Sequence, residues 1–489
     1  MSAISARGTT PVAAFSGDWP RLLFLAALPI AIAARLAAGW SLPLWFDEVF
    51  TGTIAGQATY NGLVQWCLHE LTGPAFYMPM WLWAKFVGTG DAALRMPSLA
   101  LSIGAPLLIA WRGHADRDLR LFWATLAMLW MPALATATEA RPYSQLFFLC
   151  ALQAMLFLRV TRSPSRGLVL GWASVTALAV LTHYYALAIG GLQALALIVS
   201  HRRTPWRLGP ALFPLGLAAV WMLFHARFLL DFAAGHIASY APVPLWSLAA
   251  VPWWVFGQGL QGFLILALLV YTRASWWLKG GKPSPEALLI GTGVASIALI
   301  VVAGLFRATL MPRYLTPGIP ALLFGLAYWA KLQRPHDVRP VFALFGISVA
   351  AMAVTLVTGP NDIRFLERRS FQFETASAWL MERAPTRLVF LWPTATGAQS
   401  HSAQLAEVAG FFFARSRHPV TVEISRGGLD PNRTLLQAAG DDPRTAILWV
   451  SDNRSMHDPA PRIAQIDSRW ECQNSSEGQI LIVACRRRS

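Results

Sequence analysis

The sequence predicts a polytopic α-helical membrane protein of about eleven transmembrane helices, with interfacial helices in its first outer loop and a small C-terminal α/β domain outside the cytoplasm. Three observations carry this. Of 489 residues, 55% are hydrophobic and 13% charged, where a soluble domain carries about 25% charged residues. Apolar runs approaching the roughly 20 residues needed to cross a hydrocarbon core recur along the chain. The basic residues collect in alternate loops between those runs. A soluble enzyme is excluded for most of the chain, because 22 Trp and 27 Phe cannot all be hidden in water-soluble cores of this size.

The runs lie near 21–40, 93–111, 121–138, 144–159, 167–182, 184–200, 208–225, 248–271, 286–305, 313–330 and 341–358. The fourth and fifth are short, so one of them is open to being a partial crossing. Residues 1–20 form a short N-terminal segment. The first run is too long, and its preceding segment too poor in basic residues, for a cleavable signal peptide, so it reads as a retained span. Arg35 lies inside it, where a centred charge costs about 3 kcal/mol on insertion scales. It is expected to snorkel or to face the bundle.

Arg112, Arg117, Arg120, Arg159, Arg162, Arg166, Arg202, Arg203, Arg207, Arg273, Lys279, Lys282, Lys331, Arg334 and Arg339 sit in one set of loops. The alternate loops hold only Lys85, Arg95, Arg141, Arg227, Arg307 and Arg313. Positive charge marks the cytoplasmic side, so the N-terminus is cytoplasmic and an odd number of spans leaves the C-terminus outside. The same loops account for the net charge of +15 without a nucleic-acid partner. Arg-rich, Ala-rich usage suggests a bacterial inner membrane, with the C-terminal domain in the periplasm.

After the membrane module, 21–358, the composition changes. From Asn361 onward there are 16 Arg and 14 Asp or Glu, and residues 359–489 read as an extracytoplasmic soluble α/β domain. Strands are expected at 387–392, 420–424, 446–450 and 479–484, and helices near 372–384, 402–416 and 432–439. Cys472 and Cys485 flank an expected hairpin turning at 475–478; in an oxidising compartment their pairing and their staying free are both open.

Polar chemistry concentrates on the outer side. Leu44-Trp45-Phe46-Asp47-Glu48-Val49-Phe50 puts two adjacent carboxylates among apolar residues where the first span ends. A solvated helix cap is the plain alternative for this pair. The first outer loop, 41–92, continues through His69-Glu70-Leu71-Thr72-Gly73-Pro74-Ala75-Phe76-Tyr77 into an aromatic helix too short to span, expected to lie in the interface with Trp81 and Trp83 in the headgroup belt. Glu139-Ala140-Arg141-Pro142-Tyr143, His183-Tyr184-Tyr185 and Arg313-Tyr314 stand at the same level.

In their order, Trp45-Phe46-Asp47-Glu48, Pro74 to Tyr77, Arg95-Met96-Pro97-Ser98, Glu139 to Tyr143, His183-Tyr184 and Arg313-Tyr314 make residues 20–330 resemble the GT-C class of membrane glycosyltransferases. The similarity is narrower still to the glycosyltransferase family 39 group of protein mannosyltransferases and aminoarabinose transferases. The chain departs from that pattern at Thr72-Gly73-Pro74, where relatives often show His-Pro-Pro or Lys-Pro. The resemblance implies transfer of a sugar from a polyprenyl-phosphate donor to an extracytoplasmic acceptor (lipid, glycan or protein) with inversion. Asp47 would be the base, and Glu48 would position the acceptor or Asp47. Arg141 and Arg313 would hold the donor phosphate, with Arg307 the rival of Arg313. Tyr77, Glu139, Tyr143 and Tyr314 would contact substrate, Tyr143 and Tyr314 being equally readable as belt aromatics. The resemblance alone, with no metal-type spacing to support it, implies a divalent metal cation at Glu70, His69 and His183, with Glu139 a further candidate; His183 reads first as a hydrogen-bonded residue at a helix end. The competing functions are a transporter or flippase of lipid-linked sugars, which would be expected to bind near the midplane between repeated halves, and a glycan ligase or polymerase.

Overall fold

The computed structural model describes residues 18–37, 42–201, 209–234, 245–257, 259–272, 283–306, 310–333, 337–358, 373–392, 402–425, 431–451, 458–475 and 481–488. The expected turn at 475–478, the domain boundary near 359 and Arg307 fall wholly or partly outside them.

Ten helices build the first half: α1 (Trp19–Ala37), α2 (Phe46–Ala55), α3 (Tyr60–Cys67), α4 (Pro74–Val87), α5 (Asp91–Arg112), α6 (Arg117–Met128), α7 (Pro132–Ala137), α8 (Tyr143–Arg162), α9 (Arg166–Thr182) and α10 (Ala186–Ser200). Apolar helices Phe213–Ala234, Val251–Phe256, Gly259–Tyr271, Pro285–Phe306, Ile319–Gln333 and Arg339–Thr358 follow. Among the described residues, every apolar run of the sequence falls mainly on helical structure. Among the described residues, five helices are long and apolar enough to cross a membrane alone, or six if the pair Leu248–Phe256 and Leu260–Tyr271 is one bent span. This is an integral membrane protein. The run at 121–138 is divided between α6 and α7, and the run at 313–330 spends its start on a 3₁₀ turn, Pro312–Gly318.

The breaks are sealed inside protein, as irregular backbone in lipid requires. Trp130, between α6 and α7, donates its indole N–H to the Val255 carbonyl at 2.7 Å, where the bent pair turns by 102°. Gly257 takes a φ of +81° there, and a Cβ on it would stand 3.0 Å from Pro132. Arg35 faces the bundle: it donates to Ser102 Oγ at 2.8 Å, to Ala31 O at 3.0 Å and to the Met128 carbonyl that α6 leaves free, at 3.1 Å. Outward, Leu217, Leu223 and Phe224 are exposed to the lipid side. On α4 the exposed residues Met78, Leu82 and Phe86 recur every fourth position, a stripe suited to an interfacial helix. Trp81 and Trp83 turn their indole N–H groups to the carbonyls of Gln57 and Ala93.

At the basic end, ion pairs tie the loops together: Arg117 with Asp18 at 3.0 Å, Arg162 with Glu286, and Lys331 with Asp116.

The C-terminal domain is a five-stranded sheet in the order β2-β1-β3-β5-β4, with β1 (Arg387–Leu391), β2 (Thr421–Ile424), β3 (Thr445–Ser451), β4 (Trp470–Asn474) and β5 (Leu481–Arg487). β2, β1 and β3 are parallel, and β3, β5 and β4 antiparallel. Helices at 373–381, Ser402–Ala409, Phe411–Arg415 and Pro431–Ala439 match the expected ones. Cys472 and Cys485 are bonded across β4 and β5. One face of the sheet, through Leu388, Phe390 and Leu448, packs into a single core with Trp45, Val49, Phe50 and Ile54 of the first outer loop.

Candidate active site

Asp47 and Glu48 open α2, and adjacent positions on a helix point about 100° apart. Glu48 turns inward and is fully buried. Its carboxylate accepts from Arg95 Nε at 2.9 Å and Nη2 at 2.5 Å, from the Ala140 N–H at 2.6 Å and from the Trp45 N–H at 3.1 Å; the last is the reciprocal half of a capping box. Arg95 also donates to the carbonyls of Leu42 and Pro43. Glu139 is buried and adds its charge to the field at Arg95. This pair locks the end of α1's connection, α2, α5 and the 139–141 turn into one unit.

Asp47 faces the other way, with its side chain 27% exposed. Its Oδ2 accepts from Arg313 Nη2 at 3.3 Å and stands 4.0 Å from Arg141 Nη2, while Arg141 Nη1 donates to the Asp47 carbonyl at 3.2 Å. Arg141 is buried and its Nε has no hydrogen-bond partner among the described residues. Burial works against its charge, but Asp47, Tyr77, Tyr143 and Glu70 outweigh that and raise its pKa. Arg313 follows Pro312, the start of the 3₁₀ turn. Its guanidinium lies 5.3 Å from the Tyr143 ring, 5.7 Å from Trp45 and 6.0 Å from Tyr314, which fixes its direction.

The loop after α3 closes the site from the side. Burial and the Asp47 charge raise the Glu70 pKa against the pull of Arg141. Burial, then Glu70, raises the Tyr77 hydroxyl well above its ordinary value, and burial with Glu70 beside it pushes the Cys67 thiol up to about 12. The loop is pinned to the end of α9: Thr72 bridges His183, the Gly73 N–H donates to Thr182 O at 3.3 Å, and Gln145 donates to Ala75 O at 2.7 Å and Thr182 Oγ1 at 3.1 Å. A Cβ on Gly73 would stand 1.8 Å from the Leu181 carbonyl oxygen, so only glycine lets the two backbones meet there.

His183 packs its ring 5.1 Å from Tyr314, 5.5 Å from Tyr185 and 5.7 Å from Tyr143. Burial, then Arg141 and Arg313, lowers its pKa to about 3, so it is neutral at physiological pH, and its buried Nδ1 has no hydrogen-bond partner among the described residues. His69 shares Nδ1 with the Gln65 carbonyl at 2.8 Å and meets Phe228 edge-on at 6.3 Å.

Thus Asp47, Arg141, Arg313, Tyr77, Glu70, Tyr143, Tyr314 and His183 share one neighbourhood, while Glu48 belongs to the Arg95 lock behind it and Glu139 is buried nearby. Arg95 was legible only as part of a motif; its signal was a lone cation in the first turns of an apolar helix. Tyr185, stacked on Tyr314 at 4.8 Å, carried no signal apart from its neighbours.

No protein-family model matches the chain, and no curated protein matches it. Among solved structures, ArnT from Cupriavidus metallidurans in the apo state is similar with a TM-score of 0.56 and 16% identity, over 95% of this chain and 97% of that one. The chain has a GT-C fold. ArnT from the same organism bound to undecaprenyl phosphate gives 0.53 and 16%, over 96% and 98%. The apo oligosaccharyltransferase of Archaeoglobus fulgidus gives 0.46 and 11%, over 90% of this chain and 70% of that one.

Within this GT-C frame the residues named for a divalent cation do not assemble. Among the described residues no three His, Cys, Asp or Glu side chains converge. His183 faces two guanidinium groups whose charge opposes a cation beside it, and His69 turns to Gln65 and Phe228.

Proposed function

We propose that the protein transfers a sugar from a polyprenyl-phosphate donor to an acceptor hydroxyl on the extracytoplasmic side, with inversion at the anomeric carbon. The observation that carries this reading is the triple contact of Asp47 with Arg313 and Arg141 at a partly open site: one carboxylate able to take a proton, and two forked cations able to meet a phosphate. ArnT of the same fold bound to undecaprenyl phosphate supports the choice of a lipid phosphate.

In this reading the acceptor oxygen attacks the anomeric carbon from the face opposite the phosphate. The carbon–oxygen bond to phosphate breaks and its electron pair leaves with the lipid phosphate. The acceptor proton passes to Asp47, a transfer worth about 10² to 10⁴ in rate. Arg313 and Arg141 receive the charge that grows on the leaving group. Before the donor arrives, Arg313 is engaged with Asp47; the donor phosphate displaces that contact, which frees the Asp47 oxygen for the acceptor hydroxyl. Tyr143 and Tyr314 hold Arg313 in direction, and Tyr77 with Glu70 lines the wall beside Arg141. Glu48 acts through Arg95 and α2 as a positioning residue. The cytoplasmic placement of the basic loops and an inner-membrane location belong to the same proposal.

The test is mass spectrometry of lipids and glycans extracted from cells with and without the gene. Accumulation of a polyprenyl-phosphate sugar together with loss of one glycoform is the expected result; unchanged prenyl lipids would refute the reading.

A further inference from the structure

The C-terminal domain touches the helix that carries Asp47 at more than one point. Glu407 Oε2 accepts from Gln57 Nε2 at 2.6 Å and from the Trp66 indole N–H at 2.8 Å, bridging the chain just after α2 to α3. The Gln57 carbonyl in turn accepts from Trp81 and Lys85 of α4, each at 2.7 Å, so this one residue joins the domain, α2 and the interfacial helix. Arg415 pairs with Asp91 at 2.6 Å at the start of α5, one turn before Arg95. Midway along α2, Gly52 lies so close to the Phe411 ring that a Cβ would stand 2.6 Å from Cζ, and Phe50 meets Trp392 at 6.4 Å.

Around these contacts the domain is not flush with the helix. A cleft of about 650 Å³, lined by Gly52, Gln57, Glu407, Phe411, Arg415 and their neighbours, opens between them. Beside the apolar core that the domain shares with Val49, Phe50 and Ile54, the polar grip on the far end of α2 rests on these few bridges. α2 is ten residues long, about 15 Å, and its first turn is fixed by Glu48 and Arg95. A short rigid rod held at both ends keeps the group on its first turn in place; released at one end it pivots about the other.

We propose that the C-terminal domain is a positioning element for Asp47, with Glu407 its principal handle: by gripping Gln57 and Trp66 it fixes the far end of α2 and hence the placement of the Asp47 carboxylate against the acceptor. The link to catalysis rests on the sugar-transfer reading; the grip on α2 does not.

The full-length protein in detergent or nanodiscs tests this through Glu407→Ala, Glu407→Gln and Gly52→Ala, with Gly52→Ala/Phe411→Leu as the compensated pair. Amide hydrogen exchange over residues 46–57 and transfer kinetics are measured side by side. Glu407→Ala is expected to speed exchange over α2 and to lower kcat about tenfold, the equivalent of roughly one charge-assisted hydrogen bond, while undecaprenyl phosphate binding stays within about twofold. Glu407→Gln, whose amide oxygen accepts from both donors, is expected to recover most of kcat, and Phe411→Leu to recover part of what Gly52→Ala loses. Unchanged exchange in Glu407→Ala overturns the proposal, as does faster exchange with wild-type kcat. If the wild-type protein transfers no sugar, the functional reading fails, and the exchange result alone decides whether the domain holds α2.

Discussion

Asp47 and Glu48 are neighbours in the chain, each meets arginine, and they differ in how completely those arginines are used. Glu48 is sealed: two bonds from Arg95 and two backbone N–H groups exhaust a carboxylate with no exposure. Asp47 is slack: its contacts to Arg313 and Arg141 run to 3.3 and 4.0 Å, and a quarter of its side chain is open. A satisfied buried pair has nothing left to give a substrate, and removing one partner strands a charge. A loosely held, part-open carboxylate between two cations can exchange partners when an anion arrives. The same two residue types thus make a lock at one position and a reactive group at the next.

The comparison can be broken from either side. Asp47→Asn keeps the shape of the side chain but removes the proton acceptor, so transfer is expected to fall by about 10² to 10⁴ with the protein still folded in the membrane; single-turnover transfer assays read this, and retained turnover would remove Asp47 from the chemistry. Arg95→Ala should act on the fold instead, costing about 3 to 5 kcal/mol by leaving Glu48 buried and unpaired. Thermal unfolding in detergent checks it, and a folded, inactive Arg95→Ala protein of wild-type stability would contradict the division of labour. Gly73→Ala is the smaller perturbation. Its Cβ clashes with the Leu181 carbonyl, so the loop bearing Glu70 must lift from α9, with an expected loss of about 1 to 3 kcal/mol; an unshifted unfolding temperature would show that the close approach is relaxed in solution.

Composition made the membrane helices legible, since lipid demands continuous apolar length. It did not reveal where the helices break, because the seals, Trp130 on Val255 and Arg35 on Met128, join residues 125 and 93 positions apart. The acidic pair was visible as two costly charges, yet nothing in Trp45-Phe46-Asp47-Glu48 says which faces inward: that is decided by Arg95, 47 residues on. Arg141 and Arg313 stood out as cations on the sparsely charged side, and they do meet Asp47. The metal expectation at His69, Glu70 and His183 came from resemblance without supporting spacing, and the fold turns the two histidines to different neighbours. In the C-terminal domain the apolar strands were readable, whereas β4, with Glu471 and Gln473 on an edge, lacked the apolar run that marked the others.

The central claim is that Asp47 and a lipid phosphate compete for Arg313. Titrating undecaprenyl phosphate into wild-type, Asp47→Ala and Arg313→Ala proteins tests it most directly. The account predicts tighter binding to Asp47→Ala, by about fivefold for the loss of a competitor worth roughly 1 kcal/mol, and clearly weaker binding to Arg313→Ala. Binding that weakens in Asp47→Ala, or that Arg313→Ala leaves unchanged, would contradict it.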